Sequence, residues 1–367
     1  MMKGTLIYSS ALVMALLTAS CSSENVVESI PDSADHNLTF TLRTPAGEKV
    51  GYTKALHDSP EYAINSLTLY EYEVADDGST SLARVMSYPD GNGKNSLNPV
   101  DGGNGTYTFS IIVPAANDGK KYSYKFVAND ATPTQSIGSD FNTFSQTLAS
   151  LTFGAVETPT ADLLAKNGIA MSGVAVAGGN EILTMSKGLT CDVNMTRIVS
   201  RVDIRHQIPN LKITEVTLHG APQSGFLFPQ SIVPLVQPEN CVSLGLNTNV
   251  VLPADYLNRL KDIDEVNLKK AFYLYERQNS DENSAYVNIK YTVDANSTEY
   301  VGEIDVPFRT TGENPTAVHA QRNHLYTIVL GNGTDPIAGK VTARLIVDDW
   351  NLVEVDEPLT DDDPERN

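Results

Sequence analysis

Apolar and polar residues alternate with a period of two along most of this chain, and that period constrains its fold more than any single motif. Leu38-Thr-Phe40-Thr-Leu42, Leu67-Thr-Leu69, Tyr107-Thr-Phe109-Ser-Ile111 and Tyr122-Ser-Tyr124-Lys-Phe126 carry it in the first half. Val202-Asp-Ile204, Val216-Thr-Leu218, Tyr286 to Tyr291, Tyr300 to Val306, Leu325 to Leu330 and Val341 to Val347 carry it in the second. Side chains two apart leave the same face of an extended strand, so each segment offers one apolar face. Turn-rich stretches separate the segments, among them Asp90-Gly-Asn-Gly, Asp101-Gly-Gly-Asn-Gly105 and Gly331-Asn-Gly-Thr. Helical periodicity is confined to Phe141–Leu151 and Ala254–Ile263. The predicted fold is all-β: two antiparallel β-sandwich domains in series, with few short helices. The strand groups place the N-terminal domain at 38–189 and the C-terminal one at 190–355, with no internal repeat.

The first twenty-five residues follow a different logic. Lys3 is a positive flank, Leu6 to Leu17 form a short apolar run, and Thr18-Ala19-Ser20 present small residues ahead of Cys21. The run is too short to span a bilayer, so residues 1–20 read as a processed leader. A cysteine directly after the small residues predicts a lipoprotein, cleaved before Cys21 and acylated on it. Thr18 stands where such boxes usually carry Leu; an ordinary leader with an incidental cysteine is the alternative. Residues 21–37 then form a polar tether, and 356–367 a solvated acidic tail.

With 26 basic against 45 acidic residues, the formal charge is −19. No basic stripe is available to neutralise phosphates, so nucleic acid is not an expected partner. Apart from Cys21, only Cys191 and Cys241 remain. They are read as two free thiols, with a single disulfide as the alternative for an exported chain. There is no CxxC metal knuckle.

Nor is there a constellation for catalysis. The histidines (His36, His57, His206, His219, His319, His324) show no HExxH or ligand spacing, and no GxSxG, Walker loop or GxGxxG occurs. His206 and His219 fall on or near strands and are expected to be hydrogen-bonded surface residues. The Gly-Asn-Gly stretches lack the Lys-Ser/Thr and helix of a phosphate cradle and read as hairpin turns. Asp76-Asp77-Gly78 and Asp118-Gly119 lack dedicated calcium-loop spacing. No enzyme, cofactor or metal is expected. Asp32-Ser33-Ala34 has the form of a weak O-glycosylation acceptor.

Several segments, in a common order over nearly the whole mature chain, resemble the fimbrillins of the Bacteroidales, the type V pilins and their anchor and tip relatives. They are the lipobox, the strand Leu38–Thr44, Leu67-Thr-Leu-Tyr70, Ile169-Ala-Met-Ser-Gly173 and Met195-Thr-Arg-Ile-Val-Ser-Arg-Val-Asp-Ile204. Phe272-Tyr-Leu-Tyr-Glu-Arg277 follows, with Arg277 where the family has Asn, then Gln321-Arg-Asn-His-Leu-Tyr326 and Leu345-Ile-Val-Asp-Asp-Trp350.

The resemblance implies transthyretin-like sandwiches and assembly by strand exchange. A lipoprotein precursor is cut after a basic residue, its first strand leaves, and a C-terminal strand of a neighbouring subunit fills the groove. Here Leu38 to Thr44 would leave, after a cut at Lys54-Ala55 or, less favourably, at Arg43-Thr44. Val341, Ala343, Leu345 and Val347 would be the inserting residues, a pattern equally suited to an ordinary core strand. Lys54 departs from the family's usual Arg, so retention of the lipid, as in an anchor subunit, is the competing outcome. Arg322, Asn323 and His324 are expected to hold a turn, and Tyr326 and Trp350 to pack in the core. The implied partners are neighbouring subunits in a homo- or hetero-polymer, the outer membrane through the Cys21 lipid, and a host or bacterial surface ligand. A glycan-binding surface lipoprotein is the runner-up; 16 Tyr but one Trp leave little for a sugar platform.

Overall fold

The computed structural model describes residues 35–45, 61–130, 135–149, 168–206, 208, 211–251, 268–295, 298–310, 313–331 and 341–349. The leader, Cys21, Lys54, Ala55, the Ala254–Ile263 helix, Trp350 and the acidic tail lie outside them.

The described residues form eighteen strands, among them the alternating segments of the sequence. The first ten are β1 (His36–Arg43), β2 (Leu67–Val74), β3 (Thr80–Tyr88), β4 (Val100–Gly103), β5 (Thr106–Val113), β6 (Lys121–Ala128), β7 (Met171–Val176), β8 (Leu183–Thr184), β9 (Thr190–Asn194) and β10 (Thr196–Arg197). They form one sheet ordered β3-β2-β6-β7-β9-β1-β5-β4, with β8 on β6 and β10 on β7. This sheet folds over on itself at β7, whose first half pairs with β6 and whose end pairs with β9. Gly173 stands at that crossing because a Cβ there would lie 2.8 Å from the Met195 sulfur and 2.9 Å from the Asn194 carbonyl. The two layers close on an aromatic centre. Phe40 of β1 lies 5.3 Å, ring to ring, from Phe109 on its own layer and from Tyr124 and Phe126 on the opposite one. The predicted helix is present only as α1 (Phe141–Ser145), capped by Asp140, which accepts from the Asn142 amide.

The remaining strands are β11 (Val199–His206), β12 (Leu211–Pro222), β13 (Cys241–Val251), β14 (Leu268–Tyr275), β15 (Tyr286–Ala295), β16 (Thr298–Pro307), β17 (His324–Leu330) and β18 (Ala343–Asp349). They form two four-stranded sheets, β14-β11-β17-β18 and β13-β12-β15-β16. Val202, Ile204, Phe272, Tyr326 and Ile328 from the first face Ile213, Val216, Val287 and Ile289 from the second. The chain is thus all-β, as its period requires.

The chain passes from one sheet system to the next at Ile198, between β10 and β11. Cys191, Val193 and Met195 belong to the N-terminal core, and alternation does not say which sheet a strand joins. The pairing is not wholly antiparallel, since β1 runs parallel to β9 and β11 parallel to β17. The long excursions through intervening hairpins supply the crossover that a parallel neighbour needs.

A third core lies between the two systems. Tyr70, Tyr72 and Val127, on the outer face of β2 and β6, meet Val199, Tyr273, Tyr275 and Leu325 of the β14-β11-β17 sheet, with Phe144, Leu227 and Phe228 filling in. Residues 147–149 and 225–227 pair across this junction, Ala149 N donating to Gly225 O at 2.7 Å and Leu227 N to Thr147 O at 3.1 Å. Gly225 is required there, as a Cβ would fall 2.4 Å from the Tyr275 ring.

Candidate functional site

β1 is an interior strand. It pairs along its whole length with β5 on one side and over Thr39–Arg43 with β9 on the other. Leu38, Phe40 and Leu42 point into the core and are at most 1% exposed. Burial of such side chains stabilises the fold by about 1.5–3 kcal/mol each. The outward residues are polar: Thr39 meets Ser110 at 2.9 Å, and Arg43 pairs with Asp192 at 2.6 Å in solvent. The backbone is held past the strand end, with Met195 N donating to Arg43 O and Thr44 N to Gly105 O, both at 2.8 Å. The Thr44 hydroxyl also donates to Gly105 O, at 3.1 Å. Arg43-Thr44 is therefore a poor protease substrate while β1 is seated, because the bond must leave the sheet before it can enter an active site.

β18 is an edge strand. It pairs antiparallel with β17 from Leu330↔Ala343 to His324↔Asp349. The four alternating residues share one face, as the sequence predicts. Val341 and Ala343 are partly buried against the C-terminal core, Leu345 is 9% exposed and Val347 40%.

Charged side chains buried at the junction connect the two regions. Arg197, fully buried, donates from Nε to Glu61 O at 2.9 Å, from Nη1 to Asn323 Oδ1 at 2.9 Å and from Nη2 to Pro45 O at 2.5 Å. The Glu61 carboxylate takes Arg201 Nη1 at 3.1 and 3.2 Å and the Tyr273 hydroxyl at 2.8 Å. Arg201 also forks onto Asp203 at 2.6 and 2.7 Å. Burial opposes the Arg201 charge, but Asp203 and Glu61 outweigh it and hold its pKa above the ordinary value; burial, then Glu61, raise that of Tyr273. Beside this group Arg322 pairs with Glu276 and caps the carbonyls of Phe226 and Leu227 at 3.1 Å. Asn323 adopts a left-handed φ of 58°, and His324 Nδ1 lies 2.8 Å from Arg322 O. The Arg322-Asn323-His324 turn is thus present and doubles as part of the junction.

The other candidate residues behave as structure. His219 is a surface residue stacked on Tyr286 at 4.6 Å with Nδ1 2.9 Å from Ser243 Oγ. His206 is not on the surface: it is 1% exposed on the core side of β11, and burial lowers its pKa to about 4. Cys191 and Cys241 are free and lie on β9 and β13; burial raises both thiols, Cys191 to about 11. Asp77 closes a local turn on Ser79, and Asp118 faces His36. Among the described residues no group of three or more His, Cys, Asp or Glu is placed to hold a metal.

No family model and no curated protein matches this sequence. Solved structures do. The tip fimbrial protein Mfa3 of Porphyromonas gingivalis, with a C-terminal truncation, is 15% identical, covering 86% of this chain and 100% of its own, with a TM-score of 0.53. A candidate cell adhesion protein of Bacteroides eggerthii is 12% identical over 86% of this chain and 96% of its own, TM-score 0.48. The fimbrial anchor protein Mfa2 of P. gingivalis is 8% identical over 86% and 98%, TM-score 0.33. At such identities the likeness is one of fold, and the Mfa3 alignment is the one that carries it. The fold is thus like that of the tip fimbrial protein Mfa3, in line with the resemblance read from the sequence.

Proposed function

We propose that this chain is a subunit of a cell-surface fimbria, built of two sandwich domains, exported as a lipoprotein through Cys21 and assembled by strand exchange. The observation that carries the reading is the placement of β1. It is an interior strand, joined to the strands that follow it through residues 46–60, which contain Lys54-Ala55. A cut there severs β1 from the sheet it completes, and its departure exposes an apolar groove and two rows of backbone groups between β5 and β9. An incoming strand with alternating apolar residues satisfies both. β18 of a neighbouring subunit, with Val341 just ahead of it, is such a strand, carrying Ala343, Leu345 and Val347 on one face. The likeness to a fimbrial tip protein supports the same role, and adhesion through the assembled fibre is its consequence.

N-terminal sequencing and intact mass of the surface protein test the maturation step. A start at Ala55 without lipid is the expected result; an acylated Cys21 start replaces the polymerising subunit with a lipid-retained anchor. Replacing Val347, the most exposed residue of that face, by Asp should leave the purified chain folded by circular dichroism and prevent fibre formation by electron microscopy. Normal fibres from that variant would remove β18 as the donor.

A further inference from the structure

We propose that Arg197 couples the seating of β1 to the C-terminal sheet that carries β18, so that one buried guanidinium senses whether β1 is in place. The inference rests on the fimbrial reading for its purpose, but not for its geometry or its test.

Arg197 closes the N-terminal sheet system as the last residue of β10, one residue before the chain enters β11. Its side chain reaches three separate segments. Nη2 holds the carbonyl of Pro45, two residues beyond the end of β1. Nε holds the backbone of Glu61, whose carboxylate continues to Arg201 on β11 and Tyr273 on β14. Nη1 holds the side chain of Asn323, whose own amide donates to Val199 O at 2.9 Å and which immediately precedes β17. β17 in turn carries β18 along its length.

A guanidinium is a rigid planar fork, so its arms do not adjust independently. It is also fully buried, and a buried cation that loses an acceptor meets an unfavourable surrounding unless it shifts toward another. When β1 leaves and takes Pro45 with it, Arg197 loses the Pro45 acceptor of its Nη2 arm. The reorientation falls on Asn323, the turn that sets β17, and on Glu61. The β17–β18 pair is therefore held more firmly while β1 occupies its groove and more loosely once the groove is open. For an exchanging subunit this orders events: the donor edge is freed in a chain whose acceptor groove is ready.

The test is native-state hydrogen exchange on the full, uncut chain, comparing the natural protein with Asn323→Gly. Glycine accepts the left-handed backbone of position 323, so the substitution removes one acceptor without straining the turn. Loss of a charge-assisted hydrogen bond should speed exchange by about tenfold. That acceleration is expected in β17–β18 and also in Thr39–Arg43 of β1, to which the Pro45 arm of Arg197 links Asn323, with β15 unchanged. In an Arg197→Lys background, Asn323→Gly should add nothing further to β1 exchange. The proposal is overturned if β1 is unaffected by Asn323→Gly, if β15 accelerates equally, or if the two substitutions act additively on β1. Because the uncut monomer is measured, failure of strand exchange in assembly leaves this result standing, and failure here leaves the fimbrial reading standing.

Discussion

β1 and β18 share a sequence pattern and differ in depth. Both are short strands with apolar residues at every second position. β1 lies between two neighbours with its apolar face sealed, whereas β18 has one neighbour among the described strands and an apolar face that grades from buried Leu345 to half-exposed Val347. The cost of detaching a strand depends on how many sides are closed around it. β18 gives up one ladder and a shallow contact; β1 gives up two ladders and the aromatic centre. The two strands belong to different sheets, and under the proposed exchange a strand moving from the edge of one into the groove vacated in the other gains contacts, which favours one direction.

The comparison breaks most directly at Phe40. Phe40→Ala is expected to destabilise the chain by about 3–5 kcal/mol, read from the midpoint of denaturant unfolding. Glu61→Gln tests the tie between the two regions. It removes a buried carboxylate from Arg201 and Tyr273 and should cost about 3 kcal/mol, with faster hydrogen exchange on both sides of the junction.

Acid should act on the β18 side. His206 lies across from Leu330, which lies across from Ala343, so it stands in the same row as the start of β18. The native imidazole stays neutral down to about pH 4, against an ordinary value of 6.5. Above pH 6.5 it contributes no pH dependence. Between 6.5 and 4 the unfolded chain takes up the proton and the native one does not, so stability falls, by about 3 kcal/mol in total. Comparison of pH–stability curves with His206→Gln isolates this part from the carboxylates. An identical curve for the variant would remove His206 from the account.

Leu345→Ala is expected to cost about 2 kcal/mol, the low end for a leucine at an edge. A loss equal to that of Phe40→Ala would mean that the two strands are equally deep. The smallest effect belongs to Arg43→Ala. Arg43 and Asp192 are both half-exposed, and such pairs contribute less than about 1 kcal/mol; an unchanged unfolding midpoint is expected, with β1 still seated.

Much of this was legible in the chain. The alternation located β1, β2, β5, β6 and β15–β18, because an apolar face is a local property of residues two apart. The Arg322-Asn323-His324 turn was expected from the resemblance of Gln321–Tyr326 to a fimbrillin motif, not from alternation. The junction was not legible. Arg201 and Asp203 alternate with Val202 and Ile204, so their side of β11 reads as the solvent side, yet it is buried. What makes that burial tolerable is Glu61, 140 residues distant, and nothing in a one-dimensional pattern pairs the two. His206 was misplaced on the surface for a related reason: an isolated polar residue at a strand end gives no sign of what closes over it.

The sequence by itself determined that this chain folds into short strands, which face of each strand is apolar, and where the chain turns. Those are consequences of bonds and side chains within a few residues of one another. Only the tertiary structure decided which described strands lie inside and which at an edge, that β9 and β10 belong with β1, and that Arg197 touches Glu61, Pro45 after β1 and Asn323 before β17. Those depend on contacts between residues more than a hundred positions apart, formed when sheets with two apolar faces have to cover one another.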